Sequence, residues 1–136
     1  ADDNATFATP GVNIGLFCST PMVAVSRKIN RKKMMEMLLL GDKIDSKTAV
    51  EHGLINRRVP AKLLNKAVSE VANKIASKSP LTLKIGKEAF YKQLEMPLSE
   101  AYEYTSKVMI QNMQARDAEE GISAFIEKRL PVWTGK

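Results

Sequence analysis

Between positions 63 and 76 the apolar residues fall in adjacent pairs four apart: Leu63 with Leu64, Ala67 with Val68, Val71 with Ala72, and Ile75 with Ala76. Only a helical period of about 3.6 residues gathers such pairs into one stripe, so this segment is an amphipathic helix. Its opposite face carries Lys62, Lys66, Glu70, Asn73 and Lys74. The same kind of pattern, broken by short polar stops, governs nearly everything after position 20, and the chain is expected to be mainly helical.

The stops are specific. Ser19 and Thr20 ahead of Pro21 predict a helix start, because proline lacks an N–H that would be unsatisfied there in any case. That helix is expected to run to about Lys28. Asn30 should cap a second, with Met34, Met37, Leu38 and Leu40 on one side and Gly41 as its left-handed end. A short third helix follows Asp45 or Ser46, buries Ala49 and Val50, and ends at Gly53, after which Leu54 to Val59 reads as a short strand before Pro60. Ser79 and Pro80 start a helix through about Gln93. Pro97 and Leu98 open another, with Ala101, Tyr102, Thr105, Val108 and Met109 along a face. A last helix starts near Asp117, where the helix dipole favours Glu119 and Glu120, and Pro131 in "LPVWTGK" prevents its continuation.

Near the start, "TFATP" reads as a strand with nothing in the chain to pair with. A lone strand leaves backbone groups unsatisfied, so partner strands are expected upstream, in a longer protein. The 136 residues suffice for one domain that buries roughly two thirds of its unfolded surface. A single cysteine, Cys18, and a single histidine, His52, exclude an internal disulfide and a zinc constellation, and favour a reducing compartment. The longest apolar run, Met37 to Leu40, is too short for a membrane span, and Asp2 and Asp3 stand where a targeting peptide would be basic. A net charge of +6 favours anionic partners without choosing among them.

Few residues point to chemistry. "RKINRKK", 27 to 33, holds five cations in seven residues, but with no aromatic among them it reads as a solvated connection rather than a nucleic-acid surface. Asp2 with Asp3 and Glu119 with Glu120 are explained by solvent or by a helix start. His52 precedes Gly53, where imidazole can serve free carbonyls. Cys18 reads as packing, and the methionines at 34, 35, 37, 109 and 113 as core. "TFATPGVNIGLFCSTP", 6 to 21, has the makings of a pocket wall, with glycines that allow close approach. No carboxylate occurs between Asp3 and Glu36. In "EEGISAFIEKR", 119 to 129, Ile122, Phe125 and Ile126 form an apolar face, with Lys128 and Arg129 in the last turn.

Four stretches carry a resemblance: "ATFATPGVNIGL", "KKMMEMLLLGDKIDSKTAVEHGLINRRVP", "ANKIASKSPLTLKIGKEAFYKQL" and "EEGISAFIEKRLPVW". In order and spacing the chain resembles the C-terminal half of the crotonase (enoyl-CoA hydratase/isomerase) superfamily. The implied architecture is the α/β crotonase (ClpP/crotonase-like) fold, of which this chain is the mostly helical C-terminal portion. Residues 1–18 would close a spiral of ββα turns, and residues 19–136 would form the helical trimerisation region and C-terminal helix. Homotrimers, or hexamers of two stacked trimers, are implied, and the likeness is strongest to a mitochondrial member.

The resemblance also implies acyl-CoA as ligand, with coenzyme A entering as part of the substrate and no separate cofactor, metal, nucleic acid or membrane. Family hydratases hold a water between two glutamates and stabilise the thioester oxygen with two backbone N–H groups. The oxyanion groups and one glutamate would lie upstream. The other glutamate matches Gly11, which has no side chain, so no catalytic residue is expected here and hydratase activity is expected to be lacking. A full-length version carrying Gly11→Glu is expected to gain crotonyl-CoA hydration if the upstream glutamate is present. Phe125 and Lys128 match the residues that hold the adenine end of CoA, a flat ring and a point charge suited to a nucleotide. Gly11, Leu16, Phe17 and Cys18 match the acyl pocket wall. An active isomerase or hydrolase relying on upstream residues, and a non-catalytic oligomerisation module, are the alternatives.

Overall fold

The computed structural model describes residues 1–136 and divides into two compact units, Ala1–Glu70 and Val71–Lys136. In the first, β1 (Thr6–Phe7) is followed by a 3-10 turn over Pro10–Ile14, then α1 (Ser19–Val25), α2 (Arg31–Leu40), β2 (Ile44–Asp45) and α3 (Ser46–Glu51). The strand at "TFATP" is not an orphan within the chain. It pairs antiparallel with β2, Thr6 opposite Asp45 and Phe7 opposite Ile44. Two residues have no readable alternation, which is why β2 gave no signal beforehand. The expected strand over Leu54 to Val59 does not form. Only Val59 bridges, in parallel, to Asp2, with the Asp3 N–H donating to the Val59 carbonyl at 2.9 Å.

Local capping works as the side chains dictate. The Asn30 side chain accepts from the Lys33 N–H to start α2, and Asp45 accepts from the Thr48 N–H to start α3. Gly41 closes α2 at φ 68°, a left-handed conformation that glycine adopts without strain. α1 departs from expectation. It ends at Val25 rather than Lys28, and Ser19 donates its hydroxyl back to the Phe17 carbonyl instead of capping. The core of this unit is Ile29, Met34, Met37 and Leu38, with Cys18, Met22, Val25, Ile44 and Leu54 against it. Ala49 and Ser46 are fully buried in α3, and Ser46 donates to the Asp3 carbonyl at 2.9 Å, tying the N-terminal residues down.

A 3-10 turn over Ala61–Leu63 leads into α4 (Leu64–Ala76), and the boundary between units falls inside this helix. No residue of α4 is buried, and Leu63, Val68 and Ile75 are about half exposed. Periodicity identifies a face fit for burial without supplying a surface against it.

The second unit contains α5 (Pro80–Gln93), α6 (Leu98–Met113), α7 (Arg116–Glu127) and an irregular tail. Ser79 caps α5 by accepting from the Thr82 N–H. α5 packs along α6, and α6 along α7. On α6 only Ala101 is buried, whereas Tyr102 and Met109 are exposed. Of the five methionines expected in the core, Met34 and Met37 are there. Met35, Met109 and Met113 are exposed, since helical spacing sets their face but nothing in the chain covers it.

Candidate functional site

The segment after β1 folds tightly on itself. Thr9 is buried, and its hydroxyl has no hydrogen-bond partner within the chain. Pro10 sets the start of the 3-10 turn, which ends at Gly15 with φ 76°. The chain then doubles back, so that the Leu16 N–H donates to the Gly11 carbonyl at 2.9 Å and the Gly11 N–H donates to Cys18 Sγ at 3.2 Å. Gly11, Leu16 and Cys18 therefore meet. Leu16 and Phe17 turn to solvent, and Cys18 is half-buried.

Gly11 is a point of close approach as well as a position without a side chain. A Cβ there would lie 2.8 Å from Cys18 Sγ and 2.9 Å from the Leu16 carbonyl oxygen, both well inside van der Waals contact. The thiol could rotate away. The carbonyl belongs to the backbone, so relieving that contact means moving the loop itself. An acid introduced by Gly11→Glu therefore fits only if the loop over Leu16 to Cys18 gives way.

The second set of residues lies on α7. Phe125 is 85% exposed, and Ile122 and Ile126 share its outward face. Lys128 follows the helix in a left-handed conformation, φ 56° and ψ 35°, and is the one non-glycine residue with positive φ. Its N–H donates to the Phe125 carbonyl at 3.3 Å and the Arg129 N–H donates to the Ala124 carbonyl at 3.0 Å. This pair of bonds is a Schellman ending, where glycine is usual. Phe125 borders an open, mainly apolar groove of about 590 Å3 whose other walls include Leu83, Ile122 and Trp133.

A network that sequence reasoning missed surrounds this helix. Asp117, read from sequence only as the neighbourhood of a helix start, is 2% exposed. It accepts from the Ser79 hydroxyl at 2.6 Å, the Thr134 N–H at 2.7 Å and the Gly135 N–H at 3.1 Å, and its own N–H donates to the Lys136 carbonyl. The Ser79 hydroxyl chiefly, then the Thr134 and Gly135 donors, hold the carboxyl at about 2 against the opposing effect of burial. Glu120 is also held at about 2, first by the Arg129 guanidinium, which grips both its oxygens at 2.6 and 2.9 Å, and then by the Val132 N–H. Arg129 also reaches Glu127 at 2.6 Å. Trp133 donates its indole N–H to the Ser77 carbonyl at 2.9 Å and lies against Gly121, where a Cβ would come within 3.2 Å of the ring. The tail is thus strapped back along α7. The only local hint was a lone tryptophan beyond Pro131, in a stretch otherwise read as a helix stop.

Gly11, Leu16, Phe17 and Cys18 belong to the first unit, and Phe125 and Lys128 to the second. Each set is drawn together within its own unit. Asn30 Nδ2 and His52 Nδ1 lie 3.4 Å apart beside the α3 terminus, and His52 donates its backbone N–H to Thr48 there. No three His, Cys, Asp or Glu side chains converge where they could hold a metal ion. No helix is long and apolar enough to cross a membrane.

Comparison with known proteins gives a consistent result. The sequence model of the family described as enoyl-CoA hydratase/isomerase matches residues 1–136. Rat enoyl-CoA hydratase domain-containing protein 3, mitochondrial, is 49% identical over 98% of this chain and 45% of its own length. The crystal structure of the human protein of that name is 49% identical and superposes with a TM-score of 0.95, covering 98% of this chain and 53% of that one. An enoyl-CoA hydratase from Mycobacterium smegmatis is 42% identical, again with a TM-score of 0.95, covering 98% of this chain and 52% of that one. The chain spans about half the length of these relatives.

Proposed function

Since the chain belongs to the enoyl-CoA hydratase/isomerase family and has the fold of its C-terminal portion, we propose that it binds acyl-CoA thioesters in fatty-acid metabolism without ordinary hydratase chemistry. The observation that carries this reading is the crowding at Gly11. No carboxylate occurs between Asp3 and Glu36, and the space into which a side chain at position 11 would project is taken by Cys18 Sγ and the Leu16 carbonyl. A water at that point would lack one of the two carboxylates that addition to a double bond uses.

Phe125 and Lys128 are the proposed contacts for the nucleotide end of CoA. A largely exposed ring can stack on adenine, and an ammonium three residues on can meet phosphate. Gly11, Leu16, Phe17 and Cys18 are the proposed wall of the acyl pocket, and coenzyme A enters only as part of the substrate. Assembly as a homotrimer or hexamer is supported by apolar residues exposed on α6, among them Tyr102, Met109, Ile110 and Met113. A mitochondrial location is supported by the names of the relatives. Isomerisation or thioester hydrolysis by residues elsewhere in a longer protein stays compatible with this binding role.

The test is calorimetry of the full-length protein with CoA, alongside a crotonyl-CoA hydration assay. CoA should bind, and Phe125→Ala should weaken it by about two- to tenfold, the worth of one aromatic stack. Absence of CoA binding overturns the reading of the site. Hydration as fast as that of a family hydratase run in parallel overturns the inference from Gly11.

A further inference from the structure

Outside both candidate sites, the first unit contains an open groove of about 440 Å3 between α1 and α2. Its two ends differ. At the turn that joins the helices stand Ser26, Arg27 and Arg31, and further along both helices the lining is Val23, Met34, Met35 and Leu38. No carboxylate lines it. Arg27 is held over the end of α1, with Nη1 donating to the Val23 carbonyl at 2.8 Å, a bond that leaves its charge uncompensated. In the adjoining basic run Lys33 meets Glu36.

A groove with two guanidinium groups at one end and an apolar floor at the other complements an amphiphile with an anionic head and a single tail. Arg31 and Leu38 are about 10 Å apart along the helix axis, the reach of a medium-length alkyl chain. Two exposed side chains, Val23 and Met35, form the walls above the buried Met34 and Leu38, and methionine adapts readily to an irregular apolar guest. We propose that this groove binds a medium-chain fatty acid, its carboxylate between Arg27 and Arg31 and its tail along Met34, Met35 and Leu38. The site is separate from the one proposed for thioesters and shares no residue with it. The basic run read from sequence as a mere solvated connection thereby acquires a ligand.

The experiment titrates the full-length protein with decanoate, decanol and decylamine in the presence of saturating CoA. Decanoate should bind at least tenfold more tightly than either of the others. Arg31→Glu and Met35→Glu, both at exposed positions and checked for unchanged circular dichroism, should each weaken decanoate at least tenfold and leave CoA affinity unchanged. Equal affinity for decanoate and decanol, decanoate binding insensitive to both substitutions, or no decanoate binding would each overturn the proposal. So would an acidic amphipathic peptide that binds the groove while decanoate does not, which would make it a protein-docking surface. Because CoA is monitored alongside, failure here is distinguishable from failure of the thioester reading.

Discussion

Replacing Lys128 by glycine should make the protein more stable and a poorer binder of CoA. The residue sits at φ 56° in a Schellman ending whose two hydrogen bonds involve only backbone atoms, so they survive any substitution that keeps the backbone in place. An L-residue in the left-handed region costs roughly 1–2 kcal/mol. Glycine removes that cost but enlarges the unfolded ensemble by about 0.4–1 kcal/mol. The difference spans about 0 to 1.6 kcal/mol and centres on a net stabilisation of about 0.8 kcal/mol. Lys128→Ala keeps the strain and loses the ammonium, so it should leave stability close to that of the parent. Both variants delete the same charge, and both should weaken CoA by about tenfold, the loss of one charge-assisted hydrogen bond at about 1.5 kcal/mol. Urea unfolding with an unchanged slope measures the first quantity and calorimetry the second. If glycine gives no more stability than alanine, the left-handed residue is not strained. If neither variant changes CoA affinity, Lys128 is at a helix end and nothing more.

Asp117 and Glu120 both titrate near 2 in the folded chain, below the ordinary carboxyl values near 4. A lowered folded value means stability present above pH 4 and lost as pH falls toward 2, so the urea midpoint should drop across that window, and Asp117→Asn with Glu120→Gln should flatten the drop. An acid slope unchanged in the double variant would refute the assignment. Asn30→Ala and Asp45→Ala each remove a side-chain acceptor from a helix N-terminus and should each cost about 1 kcal/mol in chemical denaturation. Gly11→Ala should cost about 1–3 kcal/mol through overpacking, and Cys18→Ala in the same chain should recover part of it. An unchanged midpoint for Gly11→Ala would show that the loop yields freely.

What could be read from sequence was whatever is settled within about one helical turn. Asn30, Asp45 and Ser79 bond to an N–H three residues away, and Gly41 needs only its own φ, so these ends were legible and α5 runs over the expected residues. Pairings over long separations were not. β2 is two residues long and lies nearly forty positions from β1, and Asp2 meets Val59 across most of the first unit. Asp117 joins Ser79 to Thr134 and Gly135, a meeting that the chain reveals only when folded. The stripe of α4 is the converse case, a face obvious in sequence whose residues remain unburied.

The position that decides the proposed chemistry shows the same division. By resemblance Gly11 stands where an acid is expected in a family hydratase. In the structure it is also a missing volume, because the Leu16 carbonyl and the Cys18 thiol stand where the first carbon of a side chain would go, and the Gly11 N–H donates to that thiol. The absence of a side chain at position 11 and the inward packing of the following loop are therefore one structural feature. A side chain at position 11 has no room while this loop keeps its course. Leu16 and Phe17 turn to solvent beside it, and Cys18 is half-buried. An acid at position 11 therefore needs a longer or re-routed connection from Gly15 to Cys18 before the hydration absent from the proposed function can be sought there.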